Sequence, residues 1–270
     1  MNYGFYHVSW AAPGSQKTHQ QQALTRTAGR GCTLLHLSHL GEVAHTRRLL
    51  RLAEGRGMTL IVKDLVGPDL LALQDTPNLI HSVKDDANAK PLAEIQGACA
   101  ASAVARRYVS IGPSLKDNCA ALYGLTETIG VQSYPFGGAD QLHASWLIWK
   151  AARTQADLNR ATVIGNAQLH PLWAGMPLPT PRQITAQVWV AAACGLDGLL
   201  GYTLIDQQGP LSAEMEEHFC AVCAQVSRFA PGRPLTTAIQ SNRLTATWAG
   251  GVQVVIDLQA GAVVSLRTRE

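Results

Sequence analysis

The fold is indicated most clearly by residues 161–204, which read ATVIGNAQLHPLWAGMPLPTPRQITAQVWVAAACGLDGLLGYTL. The apolar run at 161–168 predicts a strand. The TPRQ sequence at 180–183 has the form of a capping box with proline at the first helical position, and Gly195 marks the end of that helix. A second apolar run, at 198–204, predicts the next strand. The stretch is therefore one strand–helix–strand unit, which is typical of parallel sheets.

The same alternation of short apolar runs and helical stretches continues along most of the chain. Eight such runs predict eight strands, at residues 4–10, 32–38, 58–64, 79–85, 108–112, 128–134, 161–168 and 198–204. Strands that alternate with helices form a parallel sheet, and eight is the number that closes a (β/α)8 barrel, or TIM barrel. An open, doubly wound sheet is the alternative, but the first strand–helix turn lacks the dinucleotide glycine fingerprint. We therefore predict an α/β chain built on a (β/α)8 barrel.

The pattern changes at residues 231–234, which read PGRP. The segments that follow are short and strand-like, and they are separated by turn-forming pairs; they lie at residues 236–240, 244–248, 252–258 and 262–267. We predict two units, the barrel over residues 1–232 and a small antiparallel β appendage over residues 233–270. About forty residues are few for an independent sheet, so we expect the appendage to pack on the barrel.

The composition excludes several classes of protein. Apolar residues make up 47% of the 270 residues and charged residues 15%, which is too apolar and too weakly charged for a disordered chain. No apolar run approaches the roughly 18 residues of a membrane span, and no signal peptide is visible. We therefore expect a location in the cytoplasm or in a larger particle. The net charge of +3 forms no basic, aromatic-rich patch for nucleic acid.

The six cysteines are scattered through apolar segments, which favours reduced thiols in the core over a disulfide framework. Cys220 and Cys223 fall inside the last predicted helix without a second pair of ligands, so we predict neither a metal site nor a cofactor.

Polar residues collect where the predicted barrel strands end, which is where a (β/α)8 barrel carries its functional site. Many hydrogen-bonding groups around a carboxylic acid suit a sugar or another polyol, so we predict a carbohydrate ligand. The residues that end these strands include Trp10, His36, Lys63, Asp64, Lys84, Asp85, Asp86, Gln132, Tyr134, Gln168, His170, Tyr202 and Asp206.

Four phrases of the sequence resemble the TIM-barrel glycoside hydrolases, including poorly characterised bacterial glycosidase-like barrels. The fourth strand reads TPNLIHSVKDDA (residues 76–87), the sixth ends in Tyr-Pro, and Gln168 closes the seventh. The most specific phrase is PTPRQI (179–184), continued by AAACGLDGL (191–199). The resemblance covers roughly residues 4–206 and implies a barrel that hydrolyses poly- or oligosaccharides.

This resemblance implies a catalytic role for Asp86, which takes the place of the family's general acid/base at the end of the fourth strand. Glycoside hydrolysis needs one protonated carboxyl group and a second that stays ionised. Adjacent residues on a strand point to opposite faces, so we expect Asp85 not to be the partner of Asp86. Where the retaining enzymes carry a glutamate at the end of the seventh strand, this chain has Gln168. The candidate partners of Asp86 are Asp206, Asp64 and Asp140.

The remaining rim residues are predicted to bind the sugar through hydrogen bonds or, for Trp10, by stacking of its aromatic face on the ring. The predicted substrate-binding residues are Trp10, His36, Asp85, Tyr134, Gln168, His170 and Tyr202.

Two other functions remain open. The missing carboxylate on the seventh strand fits a non-catalytic barrel that binds glycans or is a structural part of a larger assembly. The fourth strand also resembles the lysine strand of Schiff-base aldolases and lyases of the dihydrodipicolinate synthase type, with Lys84 as the amine. The neighbouring carboxylates Asp85 and Asp86 disfavour that role, because a catalytic lysine needs a lowered pKa and they raise it.

Overall fold

The computed structural model describes residues 1–8, 15–113, 117–137, 141–171, 175–207 and 209–268. Its first eight strands are parallel and close into a barrel in chain order, with the eighth paired to the first. The predicted (β/α)8 barrel is therefore confirmed. The strands are β1 (Asn2–Tyr6), β2 (Leu34–Ser38), β3 (Thr59–Lys63), β4 (Leu79–Lys84), β5 (Arg107–Ile111), β6 (Thr128–Ser133), β7 (Thr162–Gln168) and β8 (Gly198–Tyr202).

Helices cover the outside of the barrel, and a 3-10 segment at Asp117–Gly124 follows β5. Within the described ranges, every helix is too short or too polar to traverse a membrane. The helices are α1 (Gln16–Gly29), α2 (Val43–Glu54), α3 (Gly67–Leu73), α4 (Leu92–Ala101), α5 (Gln141–Asn159), α6 (Pro181–Ala193) and α7 (Ala213–Phe229).

The helix α6 begins and ends as the sequence predicts. The Thr180 hydroxyl accepts a hydrogen bond from the backbone N–H of Gln183, and the Gln183 side chain accepts one of 2.8 Å from the backbone N–H of Thr180. Pro181 occupies the first turn, where its missing N–H costs no hydrogen bond. Gly195, just beyond the helix, takes the left-handed conformation with a φ of 72°.

Alternate residues of the barrel strands pack into two separate cores. The inner core fills the barrel, and the outer core lies between the strands and the helices. A Cβ at Gly130 would lie 1.8 Å from Oη of Tyr108, so a glycine is required there to make room for the tyrosine inside the barrel. The inner core consists of Tyr6, Leu34, Ile61, Ile80, Tyr108, Ile164 and Leu200.

A bulge in β4 decides which of its side chains reach the mouth of the barrel. The pairing of β4 with β5 shifts between Ser82 and Lys84, so Val83 is an extra residue. A bulge re-aims the side chains that follow it. Lys84 consequently faces the helices, where its Nζ lies 2.7 Å from Oε1 of Glu94 on α4. Asp85, one residue further, faces the interior.

The predicted antiparallel appendage is confirmed. A short hairpin, β9 (Ile205–Asp206) and β10 (Gly209–Pro210), precedes α7, and the last four strands form one antiparallel sheet in chain order. Trp248, which follows the second strand of that sheet, meets Trp189 of α6 with ring centroids 5.8 Å apart. The sheet therefore packs on a barrel helix, while the division at residues 232–233 stays a prediction. Its strands are β11 (Thr236–Gln240), β12 (Arg243–Thr247), β13 (Gln253–Asp257) and β14 (Ala262–Arg267).

The first strand is shorter than the sequence predicts. β1 ends at Tyr6 instead of residue 10, and its pairing with β8 ends at Tyr202. His7 takes a left-handed backbone conformation with a φ of 49°, which turns the chain out of the sheet. Tyr6 and His7 are therefore the residues at the carboxyl end of this strand.

Candidate active site

A cavity of about 290 Å³ opens at the carboxyl ends of the barrel strands. This is the end at which (β/α)8 barrels carry their functional sites, and the volume is close to the lower limit of roughly 300 Å³ for small-ligand sites. We therefore take this cavity as the candidate active site. It is lined by Tyr6, His7, Lys63, Asp85, Asp86, Gln132, Tyr134 and Tyr202.

Asp85 is held in place by several hydrogen bonds. Its Oδ1 accepts one of 2.6 Å from the Tyr6 hydroxyl and one of 3.2 Å from the backbone N–H of Asp86. Its Oδ2 lies 2.9 Å from Nε2 of His7. Burial by itself raises the pKa of Asp85, but the hydrogen bonds and charge of His7, with the Tyr6 hydrogen bond, outweigh it and hold the pKa far below its ordinary value. Asp85 is therefore a carboxylate at neutral pH.

His36 lies beneath the cavity and supports the residues that hold Asp85. The backbone N–H of His7 donates a hydrogen bond of 3.3 Å to Nδ1 of His36, whose Nε2 lies 3.3 Å from Oγ of Ser82. The His36 ring also stacks on Tyr6 with centroids 4.1 Å apart. Burial lowers the pKa of His36, so the ring is neutral. His36, a predicted sugar-binding residue, is thus a buried support and does not line the cavity.

Asp86 borders the cavity beside Asp85. Its Oδ1 accepts a hydrogen bond of 2.9 Å from Nε2 of Gln132, and the same nitrogen lies 3.5 Å from Oδ1 of Asp85. Partial burial and the negative charge of Asp85 raise the pKa of Asp86. The pKa values of the two carboxyl groups are shifted in opposite directions, which allows a carboxylic acid and a carboxylate to coexist in one site.

The expectation that Asp85 and Asp86 point to opposite faces is wrong. It requires both residues to continue the strand, but β4 ends at Lys84 and Asp86 leads into a 3-10 turn. The left-handed backbone of Asp86, with a φ of 47°, breaks the alternation of a strand. Both carboxyl groups consequently reach Gln132 and border the same cavity.

Tyrosine rings form one side of the cavity. The ring centroids of Tyr134 and Tyr202 are 5.5 Å apart, and those of Tyr202 and Tyr6 are 6.5 Å apart. Burial and the charge of Asp85 raise the pKa of Tyr134, so its hydroxyl stays protonated. Tyr134 and Tyr202 are predicted sugar-binding residues, and the structure brings both of them to the Asp85–Asp86 pair.

Neither Asp64 nor Asp206, the expected partners of Asp86, lines this cavity. Asp64 lies 3.9 Å from Nζ of Lys63 and lines a neighbouring groove of about 600 Å³. Asp206 lies on β9 and is buried, and its charge acts on His170, whose pKa is lowered because burial outweighs that charge. The third candidate, Asp140, lies outside the described residues.

Gln168 is the last residue of β7 and His170 follows it, and neither lines the cavity. Gln168 is fully buried; its Oε1 accepts a hydrogen bond of 2.8 Å from the backbone N–H of Phe136. Its Nε2 donates to the carbonyl oxygens of Phe136 at 3.2 Å and His170 at 3.1 Å. Gln168 therefore ties the end of β7 to the segment that follows β6. Trp10, the remaining predicted sugar-binding residue, lies outside the described residues.

Four residues of the cavity, Tyr6, His7, Lys63 and Gln132, are not among the predicted site residues. Tyr6 and His7 are missed because the sequence after them continues the strand pattern to residue 10. Lys63 and Gln132 lie at the ends of predicted strands, so their position on the rim was the signal that could have found them.

Lys84 does not line the cavity, because the bulge turns it towards Glu94 on α4. The Schiff-base alternative therefore lacks its amine at this site. Within the described part of the chain, no group of His, Cys, Asp and Glu side chains could hold a metal ion, and the six cysteines are free and buried.

Known proteins resemble this chain in structure and not in sequence. No protein-family model and no curated protein sequence matches the chain. Saccharomyces cerevisiae Gas2p in complex with laminaripentaose superposes with a TM-score of 0.54 at 11% identity, over 83% of this chain and 64% of that one. Another Gas2 complex gives a TM-score of 0.55 at 11% identity, over 87% and 66%. This chain therefore shares its barrel fold with Gas2p.

A fungal β-1,4-galactanase superposes more weakly, with a TM-score of 0.49 at 9% identity, over 81% of this chain and 99% of the galactanase. This chain spans less than two thirds of the length of the Gas2p chain. The similarity to the two Gas2 complexes confirms, at the level of the fold, the barrel that the sequence predicts.

Proposed function

We propose that the chain is a glycoside hydrolase-like enzyme that cleaves an oligo- or polysaccharide, with Asp86 as the general acid. The observation that carries this proposal is the pair of neighbouring carboxyl groups in the cavity. Asp85 is fixed as a carboxylate by Tyr6 and His7, and the pKa of Asp86 is raised beside it. Glycoside hydrolysis uses one carboxyl group of each kind.

Each group of the pair has the environment that its role requires. Asp86 remains exposed at the mouth of the barrel, so its proton can reach the glycosidic oxygen of a bound sugar. Asp85 is a fixed negative charge that stabilises the positive charge developing on the sugar ring. Asp85 thereby takes the role of second carboxylate that was expected of Asp206 or Asp64.

The other lining residues suit a carbohydrate ligand. Tyr134 and Tyr202 present aromatic rings with a hydroxyl group at the edge, which bind the apolar face and the hydroxyl groups of a sugar. Lys63 adds a hydrogen-bond donor at the end of β3, while the amide nitrogen of Gln132 already donates to Asp86 and Ser110.

The test is hydrolysis of a panel of oligosaccharides and aryl glycosides by the purified chain and by Asp86→Asn. The substitution keeps the shape of the side chain and removes its proton, so kcat/KM should fall by roughly 10²–10⁴-fold. Asp75→Asn is the matched control, because Asp75 is exposed and precedes β4, at the opposite end of the barrel. Activity of Asp86→Asn within about threefold of the wild type would exclude the role of general acid.

A second candidate function is a non-catalytic barrel that binds glycans, alone or within a larger assembly. One feature of the sequence favours it: there is no Asp or Glu between Asp157 and Asp197. That interval includes β7, where the retaining enzymes of the resembling family carry their nucleophile. Binding on a glycan array without release of reducing sugar by the wild type would favour this second function.

A further inference from the structure

We propose that the substrate carries a 2-acetamido group beside the bond that is cleaved, and that the oxygen of this group attacks the anomeric carbon. The inference rests on the proposed function and narrows its substrate to 2-acetamido-2-deoxy glycosides.

The first observation is that β7 supplies no nucleophile. Asp and Glu are absent from the whole interval between Asp157 and Asp197, which contains β7, the connection after it and α6. Gln168, at the end of β7, is fully buried and hydrogen-bonded to backbone atoms. Attack from this side of the barrel must therefore come from another group.

The second observation is the arrangement of the two carboxyl groups in the cavity. In a double displacement by two protein carboxyl groups, the nucleophile and the acid flank the anomeric carbon from opposite faces. Asp85 and Asp86 are adjacent in the chain and both contact Nε2 of Gln132, so they lie side by side. Tyr6 and His7 also prevent Asp85 from swinging across the cavity. Such a pair suits hydrolysis in which the substrate supplies its own nucleophile.

Asp85 is well placed to assist an acetamido group. Among the described residues, the hydrogen-bond donor to its Oδ2 is His7, which leaves acceptor capacity on this oxygen for the N–H of an amide. Its negative charge also stabilises the positively charged ring that forms when the acetamido oxygen bonds to the anomeric carbon.

The proposed reaction has two steps that balance. In the first, the acetamido oxygen bonds to the anomeric carbon, the bond to the leaving oxygen breaks, and Asp86 gives its proton to that oxygen. In the second, a water oxygen bonds to the anomeric carbon, the bond to the acetamido oxygen breaks, and the water gives a proton to Asp86. Asp85 accepts a hydrogen bond from the acetamido N–H throughout, and the sum is hydrolysis with retained configuration.

The experiment compares nitrophenyl glycosides, in both anomers, that differ only at the 2-position. The substituents are hydroxyl, acetamido and the mono-, di- and trifluoroacetamido groups, in which fluorine progressively weakens the attacking oxygen. We expect the 2-acetamido glycosides to be cleaved and kcat/KM to fall by at least about tenfold across the fluorine series. Asp85→Asn should lower the preference for acetamido over hydroxyl, because the acceptor for the N–H is lost.

The outcomes separate this inference from the proposed function. Equal cleavage of 2-hydroxyl and 2-acetamido glycosides, with the same kcat/KM across the fluorine series, would overturn the inference. If that activity is lost in Asp86→Asn, the role of Asp86 as general acid is still supported. If the wild type cleaves neither glycoside faster than Asp86→Asn does, both the inference and the proposed function are overturned.

A binding measurement gives a second readout. A thiazoline, in which sulfur replaces the attacking oxygen in the bicyclic intermediate, should bind the wild type at least about tenfold more tightly than the parent 2-acetamido sugar. Binding no tighter than the parent sugar in calorimetry counts against the inference.

Discussion

The hydroxyl of Tyr6, at the end of β1, lies 2.6 Å from Oδ1 of Asp85, just beyond β4. A hydrogen bond to an ionised carboxylate is shorter and stronger than one between neutral groups. This contact joins two strands on different sides of the barrel and fixes Asp85 in its charged form, so the site and the closed barrel depend on each other.

We predict that Tyr6→Phe destabilises the fold by about 1.5–3 kcal/mol, because it removes a hydrogen bond to a charged group. The pKa of Asp85 should rise at the same time, and kcat/KM should fall. Denaturant unfolding and a pH–rate profile measure these effects. Tyr3→Phe is the matched control, since the Tyr3 hydroxyl donates its hydrogen bond of 3.0 Å to a neutral acceptor, the backbone carbonyl of Arg30. Equal destabilisation by both substitutions would contradict the prediction.

We predict that Asp85→Asn lowers the melting temperature at pH 7 and that this difference shrinks in acid. The pKa of Asp85 is lower in the folded chain than in the unfolded one. Its carboxylate therefore stabilises the fold above about pH 4, and the contribution is lost as the pH falls towards the folded pKa. Thermal melts between pH 7 and pH 3 follow this change. A deficit that does not depend on pH would show that the effect is not electrostatic.

We predict the opposite for Asp86→Asn, which should raise the melting temperature at pH 7. The pKa of Asp86 is raised in the folded chain, so its contribution to stability is present below about pH 4 and is lost as the pH rises through the folded pKa. The neutral side chain of asparagine does not ionise, so the variant does not lose stability in this way as the pH rises. The gain should disappear near pH 3, where wild type and variant are both uncharged at this position; a loss of stability at pH 7 would contradict the prediction.

We predict that Thr180→Ala costs about 1 kcal/mol, because the substitution removes the side chain that caps α6. Thr25→Ala makes the same chemical change at an exposed position inside α1 and should be neutral or slightly stabilising. Denaturant melts of the two variants isolate the cap. Identical stabilities would argue against a capping contribution.

The barrel and the appendage were predictable because their signals are local. Each barrel strand is a short apolar run between helical stretches, and the four residues 180–183 are sufficient to predict the cap of α6. The end of β1 was not predictable in this way, since the sequence continues to resemble a strand after Tyr6. The chain turns there because His7 adopts a left-handed conformation and donates its backbone N–H to His36 of β2.

The candidate site was only partly predictable. Asp85, Asp86, Tyr134 and Tyr202 could be placed on the rim from the order of strands alone. Their mutual arrangement depends on the bulge in β4 and the left-handed backbone of Asp86, which no periodicity reveals. Gln132 matters because it reaches across from β6, and such contacts between strands exist only after the barrel closes.

The bulge at Val83 also determines which kind of chemistry this strand can offer. In a regularly paired β4, Lys84 would follow Ser82 onto the inner face, and Asp85 would face the helices. An amine would then stand at the mouth in place of a carboxylate. A barrel with a lysine-based site and a barrel with an acid-based site are therefore one residue of strand register apart.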